Sequence, residues 1–196
     1  MNTDSLLASI ETFANRLFEL SDGNEGEIVV ACPGWKMKDL LAHIGIVYGA
    51  VAGVIEEGSL ERPETPFPTP PDEEVHAWAL GNYESMMGTL KTNDPSTPVW
   101  TWGKEQNVAW FVRRMTHETL LHMWDAETPV TDHITVDGEV ACDGVDEYID
   151  GALQFSANPK KVFKYPNGSI HLHRTDGSGE WLLENSEDGL LVRREH

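Results

Sequence analysis

The segment with the most chemical content is WFVRRMTHETLLHMWDAE, residues 110–127. Glu118 and His122 stand four apart, so on a helix one turn separates them on one face. Projected at about 100° per residue, that face also carries Val108, Phe111, Val112, Met115 and Thr119. A carboxylate and an imidazole therefore sit at the edge of an apolar stripe. An ionised carboxylate taken from water without a partner costs several kcal/mol, so Glu118 needs a cation or strong donors. A divalent metal meets that need. A third donor is available in LLAHIGIVYGA, where His43 borders the stripe formed by Leu40, Ile44 and Val47. If these two helices are neighbours, His43, Glu118 and His122 can converge on one ion. Two neutral imidazoles and one carboxylate leave such an ion with roughly one net positive charge and an open position, the pattern of a catalytic rather than a closed structural zinc. The ion would deprotonate a bound thiol or water near neutral pH. The plain alternatives are a hydrogen-bonded structural histidine and a solvated Glu–His pair.

Four helices must position these groups. Leu6, Ile10, Phe13, Leu17 and Leu20 recur at three- and four-residue steps, and Asp22-Gly23 ends that run. A second helix follows Cys32-Pro33-Gly34-Trp35 and reaches about Glu57, where Gly58 stops it. Five of the eleven prolines fall between Glu61 and Pro71, so that stretch is an extended connection. A third helix is expected from near Pro71-Asp72, with Val75, Trp78, Ala79, Tyr83, Met86 and Met87 for packing. After a broken stretch from Asn93 to Gly103, the fourth covers roughly Gln106 to Ala126. Seven acids and no Lys or Arg between Asp132 and Asp150 suggest a solvated connection into a short helix around Val145 to Phe155. Strands are expected at Val162–Tyr165, Ser169–Arg174, Glu180–Asn185 and Leu190–Arg193, separated by hairpin-turn residues. The fold class is thus α+β: an up-down four-helix bundle over residues 1–135, then a small antiparallel unit over 136–196.

Composition bounds the function. In 196 residues there are 33 Asp plus Glu and 14 Lys plus Arg, a formal charge of −19. Nucleic acid and anionic membranes attract the opposite sign, so neither is expected as a partner. No apolar run is expected to approach the roughly 20 residues a membrane helix needs, the N-terminus shows no signal-peptide pattern, and a cytoplasmic location is expected. No phosphate loop or dinucleotide fingerprint is present. The acidity favours solubility and would repel a dianionic substrate at long range. A monomer or a homodimer is expected.

The pairing of CPGWKMKDLLAHIG with RRMTHETLLHMWDAE resembles the mycothiol-dependent maleylpyruvate isomerase family over about residues 5–130. The resemblance implies a DinB-like four-helix bundle whose metal ligands are one His of the first motif and the Glu and second His of the other. Carried over, these are His43, Glu118 and His122, the same three residues. It also implies zinc or a similar divalent ion, mycothiol as thiol cosubstrate, and a small-molecule electrophile of the maleylpyruvate type. In that chemistry the thiol adds to a cis double bond, rotation follows, and expulsion gives the trans product. Release of the adduct instead would make the protein a mycothiol S-transferase. A non-catalytic metal or small-ligand protein is the remaining class, marked by a fourth protein ligand such as His117 or Asp125. SIHLHRTDGSGEWLLE resembles the family's sterol-carrier-like C-terminal unit, here abbreviated, and no substrate-binding group is carried over from it.

Other residues receive quieter readings. His117 lies opposite the triad with Trp110, Leu121 and Trp124, on a side expected to be covered. His171 and His173 share a strand face, read as a polar sheet face or as the border of a cleft. Cys32 packs under the start of helix two, neither Cys32 nor Cys142 is a nucleophile, and Trp35 is core. Arg113 and Arg114 are placed away from the main stripe of helix four, as salt-bridge residues with substrate carboxylate binding left open.

Overall fold

A computed structural model describes residues 1–64, 68–71, 73–127, 135–153, 168–186 and 189–194. They divide into two compact units, Asn2–Thr135 and Val136–His196, the latter also taking Met1.

The first unit contains α1 (Thr3–Ser21), α2 (Met37–Glu57), α3 (Val75–Thr92) and α4 (Val108–Glu127). Local chemistry sets their ends. The Asn2 side chain accepts from the Ser5 N–H at 2.8 Å, capping α1. Asp39 reaches back to the Lys36 N–H at 2.8 Å, which fixes the entry to α2. Gly58, at φ 64°, closes that helix in the left-handed conformation that glycine adopts without penalty. At α4 the Asn107 side chain accepts from the Trp110 N–H at 3.0 Å. The third helix starts at Val75, later than Pro71-Asp72, with Glu74 at φ 57° immediately before it.

Helix α1 packs chiefly on α4 and α2 on α3, while α2 also meets α4 directly. Ile10, Leu17, Leu40, Ile44, Met86, Phe111 and Met115 are fully enclosed at the centre. Glycine is required at one crossing: a Cβ on Gly45 would lie 2.4 Å from the Trp78 ring and 3.1 Å from Ala79 Cα. Within the interior the Tyr48 hydroxyl and Thr119 Oγ1 are hydrogen-bonded at 2.8 Å, joining α2 to α4. Helix α2 corrects one expectation. With 21 residues and a mean hydropathy of 1.5 over its most apolar window, it is long and apolar enough to cross a membrane by length and composition. Its apolar character matches its place between α3 and α4, where ten of its residues are buried.

The second unit contains α5 (Gly138–Tyr148), one π-helical turn over Ile149–Leu153, and β1 (Ser169–His173), β2 (Glu180–Ser186) and β3 (Gly189–Arg193) in a sheet of order β1-β2-β3. Both pairings are antiparallel, with His173 opposite Glu180 and Leu183 opposite Val192. Ile149, Trp181 and Leu183 form its core, flanked by Cys142, Val145, Leu190 and Val192. The helix starts seven residues before the expected Val145. The Asp137 carboxylate accepts from the N–H groups of Glu139 and Val140, so part of the acidic run is a helix cap and first turn rather than a solvated connection. The three later strands lie where the alternation puts them, within a residue at each end. The strand expected at Val162–Tyr165 lies outside the described residues, as does the expected helix end at Phe155.

Candidate metal centre

His43 comes from α2, and Glu118 and His122 from successive turns of α4. The His43 Nε2 lies 3.4 Å and the His122 Nε2 3.3 Å from the same oxygen, Glu118 Oε1. One donor atom from each residue falls within 4.8 Å of the other two. The imidazole rings meet edge to face with centroids 4.8 Å apart. Bonds of about 2.0–2.1 Å to a tetrahedral ion place neighbouring donors roughly 3.4 Å from one another. The two spacings to Glu118 Oε1 fit that requirement, and two imidazoles with a carboxylate suit a borderline divalent ion. Among the described residues no fourth His, Cys, Asp or Glu joins the group. Its exposure is one-sided: His43 is 38% exposed, whereas Glu118 and His122 are 13% and 15%.

Two further residues hold the ligands. Arg114 donates to the second oxygen of Glu118, so the carboxylate is divided, Oε1 to the imidazoles and Oε2 to the guanidinium. This corrects the placement of Arg114 away from the main stripe. Residues 114, 118 and 122 stand at four-residue steps and form one row along the helix, a signal present in the sequence. Asp125, considered as a fourth ligand, instead takes the other ring nitrogen of His122: its Oδ2 lies 3.0 Å from Nδ1. A carboxylate there fixes the ring's orientation and tautomer and leaves Nε2 for an ion. The Cys32 thiol reaches the same Asp125 oxygen at 3.7 Å.

Electrostatics follow from these contacts. Burial pushes the Glu118 carboxyl up, but the hydrogen bonds from His122 and His43, with the charges of Arg114 and His122, outweigh it and hold the group well below the usual carboxylate range. Burial lowers His122, yet the hydrogen bonds to Asp125 and Glu118 and the charges of both dominate, leaving it pushed up to about 9. Without an ion, the site thus binds a proton on His122. The Cys32 thiol is raised by burial and by the neighbouring Asp125 charge, which keeps it protonated, in line with its reading as a non-nucleophile.

The remaining readings divide. Trp35 is half-buried rather than core, its ring 5.5 Å from that of His43 at the exposed side of the site. His117 is buried and stands apart from the triad. Leu121 and Trp124 are exposed, so the far side of α4 is not covered as expected at those positions. A scan against family models matches residues 6–127 to the mycothiol maleylpyruvate isomerase N-terminal domain. Neither a curated protein nor a solved structure matches the chain. The matched segment spans more than half of the sequence and contains all three candidate ligands. The chain belongs to the mycothiol maleylpyruvate isomerase N-terminal domain family.

Proposed function

We propose that the protein is a divalent-metal-dependent, mycothiol-dependent enzyme acting on a small electrophile, of the maleylpyruvate cis-trans isomerase type. His43, Glu118 and His122 would hold the ion, most suitably zinc. Residues 1–135 would be a DinB-like metal-binding domain and 136–196 a sterol-carrier-like one, working in the cytoplasm as a monomer or homodimer with no nucleic-acid or membrane partner. The observation that carries this reading is the convergence of both Nε2 atoms on one Glu118 oxygen, at tetrahedral ligand spacing, in a chain of this family.

When bound, the ion supplies a Lewis acid that lowers the pKa of a thiol brought to it. The chain's residues do the rest. Arg114 neutralises Oε2 and leaves Oε1 as the single donor oxygen directed at the imidazoles. Asp125 keeps the proton on Nδ1 of His122, so Nε2 presents its lone pair. The half-exposed His43 edge gives a small molecule its approach. Cys32, protonated against Asp125, is a poor internal nucleophile, which favours a thiol supplied from solution.

The test has two stages. Purified protein should hold about one divalent ion at this site, lost in His122→Ala; equal content in both would remove the triad. Mycothiol is then offered with a panel of electrophiles that includes maleylpyruvate. Isomerisation without net thiol consumption is the expected result. Stoichiometric thiol consumption would instead mark an S-transferase, and no turnover of any substrate a non-catalytic metal protein.

A further inference from the structure

The sheet carries a second His–Glu–His set. His171 and His173 are two apart on β1, so both side chains leave the same face. Glu180, on β2, is paired directly opposite His173. Its Oε2 lies 2.6 Å from His171 Nε2, and its Oε1 contacts His173 Nδ1. One carboxylate therefore bridges two imidazoles, with its own side chain 15% exposed between rings that are 43% and 55% exposed.

The support beneath is rigid. The residues that alternate with Glu180, namely Trp181 and Leu183, are buried in the core on the opposite face. Strand pairing fixes the spacing of the three Cα atoms, so the donor set does not depend on a loop. Two imidazoles and one carboxylate are the ligand types that borderline divalent ions select. A formal charge of −19 draws cations to the protein at long range. The ring centroids are 6.4 Å apart, against roughly 5 Å for two imidazoles on one tetrahedral ion. Binding one ion therefore requires the two rings, 43% and 55% exposed, to turn toward one another.

We propose that His171, His173 and Glu180 form a second binding site, on the exposed sheet face, for a borderline divalent transition-metal ion such as Zn²⁺. The site does not depend on the bundle reading. An ion there would clamp β1 to β2, replacing the bridging contacts that Glu180 makes to both rings.

Equilibrium dialysis of the full chain against Zn²⁺ tests this with three proteins: wild type, His122→Ala, and the double variant His171→Gln/His173→Gln. The sheet variant should bind one equivalent less than wild type, whatever the bundle contributes. An unchanged count in the sheet variant overturns the proposal. Loss of an equivalent in the sheet variant but not in His122→Ala would sink the bundle site and leave this one standing. Glu180→Gln keeps the side-chain shape while removing its charge, and should weaken the sheet site in a protein with unaltered near-ultraviolet dichroism from Trp181. Cu²⁺ added to His122→Ala should give an electron paramagnetic resonance spectrum with nitrogen coupling from two imidazoles; a spectrum without it also overturns the assignment.

Discussion

Two imidazoles around one glutamate occur in both units, and their settings differ. In the bundle, Glu118 and His122 are largely buried, and each has an additional charged partner, Arg114 and Asp125. On the sheet, Glu180 is shielded but both of its imidazoles stand in solvent. The same donor types thus come preorganised in one place and loosely gathered in the other. The two carboxylates are shielded alike, at 13% and 15% exposure, so their partners make the difference: the contacts of His171 and His173 can be exchanged for water, whereas those of the largely buried His122 must be held in place.

The largest test of that contrast is to remove each carboxylate from metal-free protein. Glu118→Ala removes the carboxylate that Arg114 and both imidazoles share at a largely buried position, and should cost about 3–5 kcal/mol in urea unfolding. Glu180→Ala should cost about 1 kcal/mol or less. Equal losses would erase the distinction.

pH should separate the two sets next. In the metal-free bundle, His122 is raised from its ordinary 6.5 to about 9. Its contribution to stability is therefore complete below about 6.5 and is lost as pH rises through about 9. Melting temperature in chelator should fall across that window. His122→Gln should flatten the fall, and the sheet double variant should retain it. Because an ion must displace this proton, binding near neutral pH should release about one proton, read by calorimetry in buffers of different ionisation enthalpy.

A smaller effect is expected at Asp125. Asp125→Asn should weaken the bundle's Zn²⁺ affinity about 10- to 100-fold through His122 orientation, with sheet binding unchanged. Comparable in size is Thr119→Val, which deprives the buried Tyr48 hydroxyl of its partner and should lower stability by about 1–3 kcal/mol; its readout is the urea midpoint at constant slope.

The sequence made the bundle legible because its apolar residues recur with the helical period and two of its helix ends carry Asp22-Gly23 and Gly58. The triad was legible for the same reason: four-residue spacing puts Glu118 and His122 on one row, and His43 lies on the facing helix. Arg114 could have been found from that row, yet it was placed away from the main stripe, as a salt-bridge residue without a named partner. The role of Asp125 was not readable, since spacing alone does not say which ring nitrogen a carboxylate will meet. The start of α5 was missed because seven acids look solvated until one of them, Asp137, is seen capping a helix. The exposure of Leu121 and Trp124 depends on what lies across from α4, which periodicity does not encode.

The paired hydroxyls of Tyr48 and Thr119 have a consequence for how α2 and α4 can slide. A helix advances about 1.5 Å per residue, so a one-residue slip would carry the phenol past its mate and strand both oxygens where water does not reach. The two rods consequently have one preferred axial setting. That setting keeps His43 level with Glu118, so the ligand geometry is gauged by a contact that touches neither ligand nor ion.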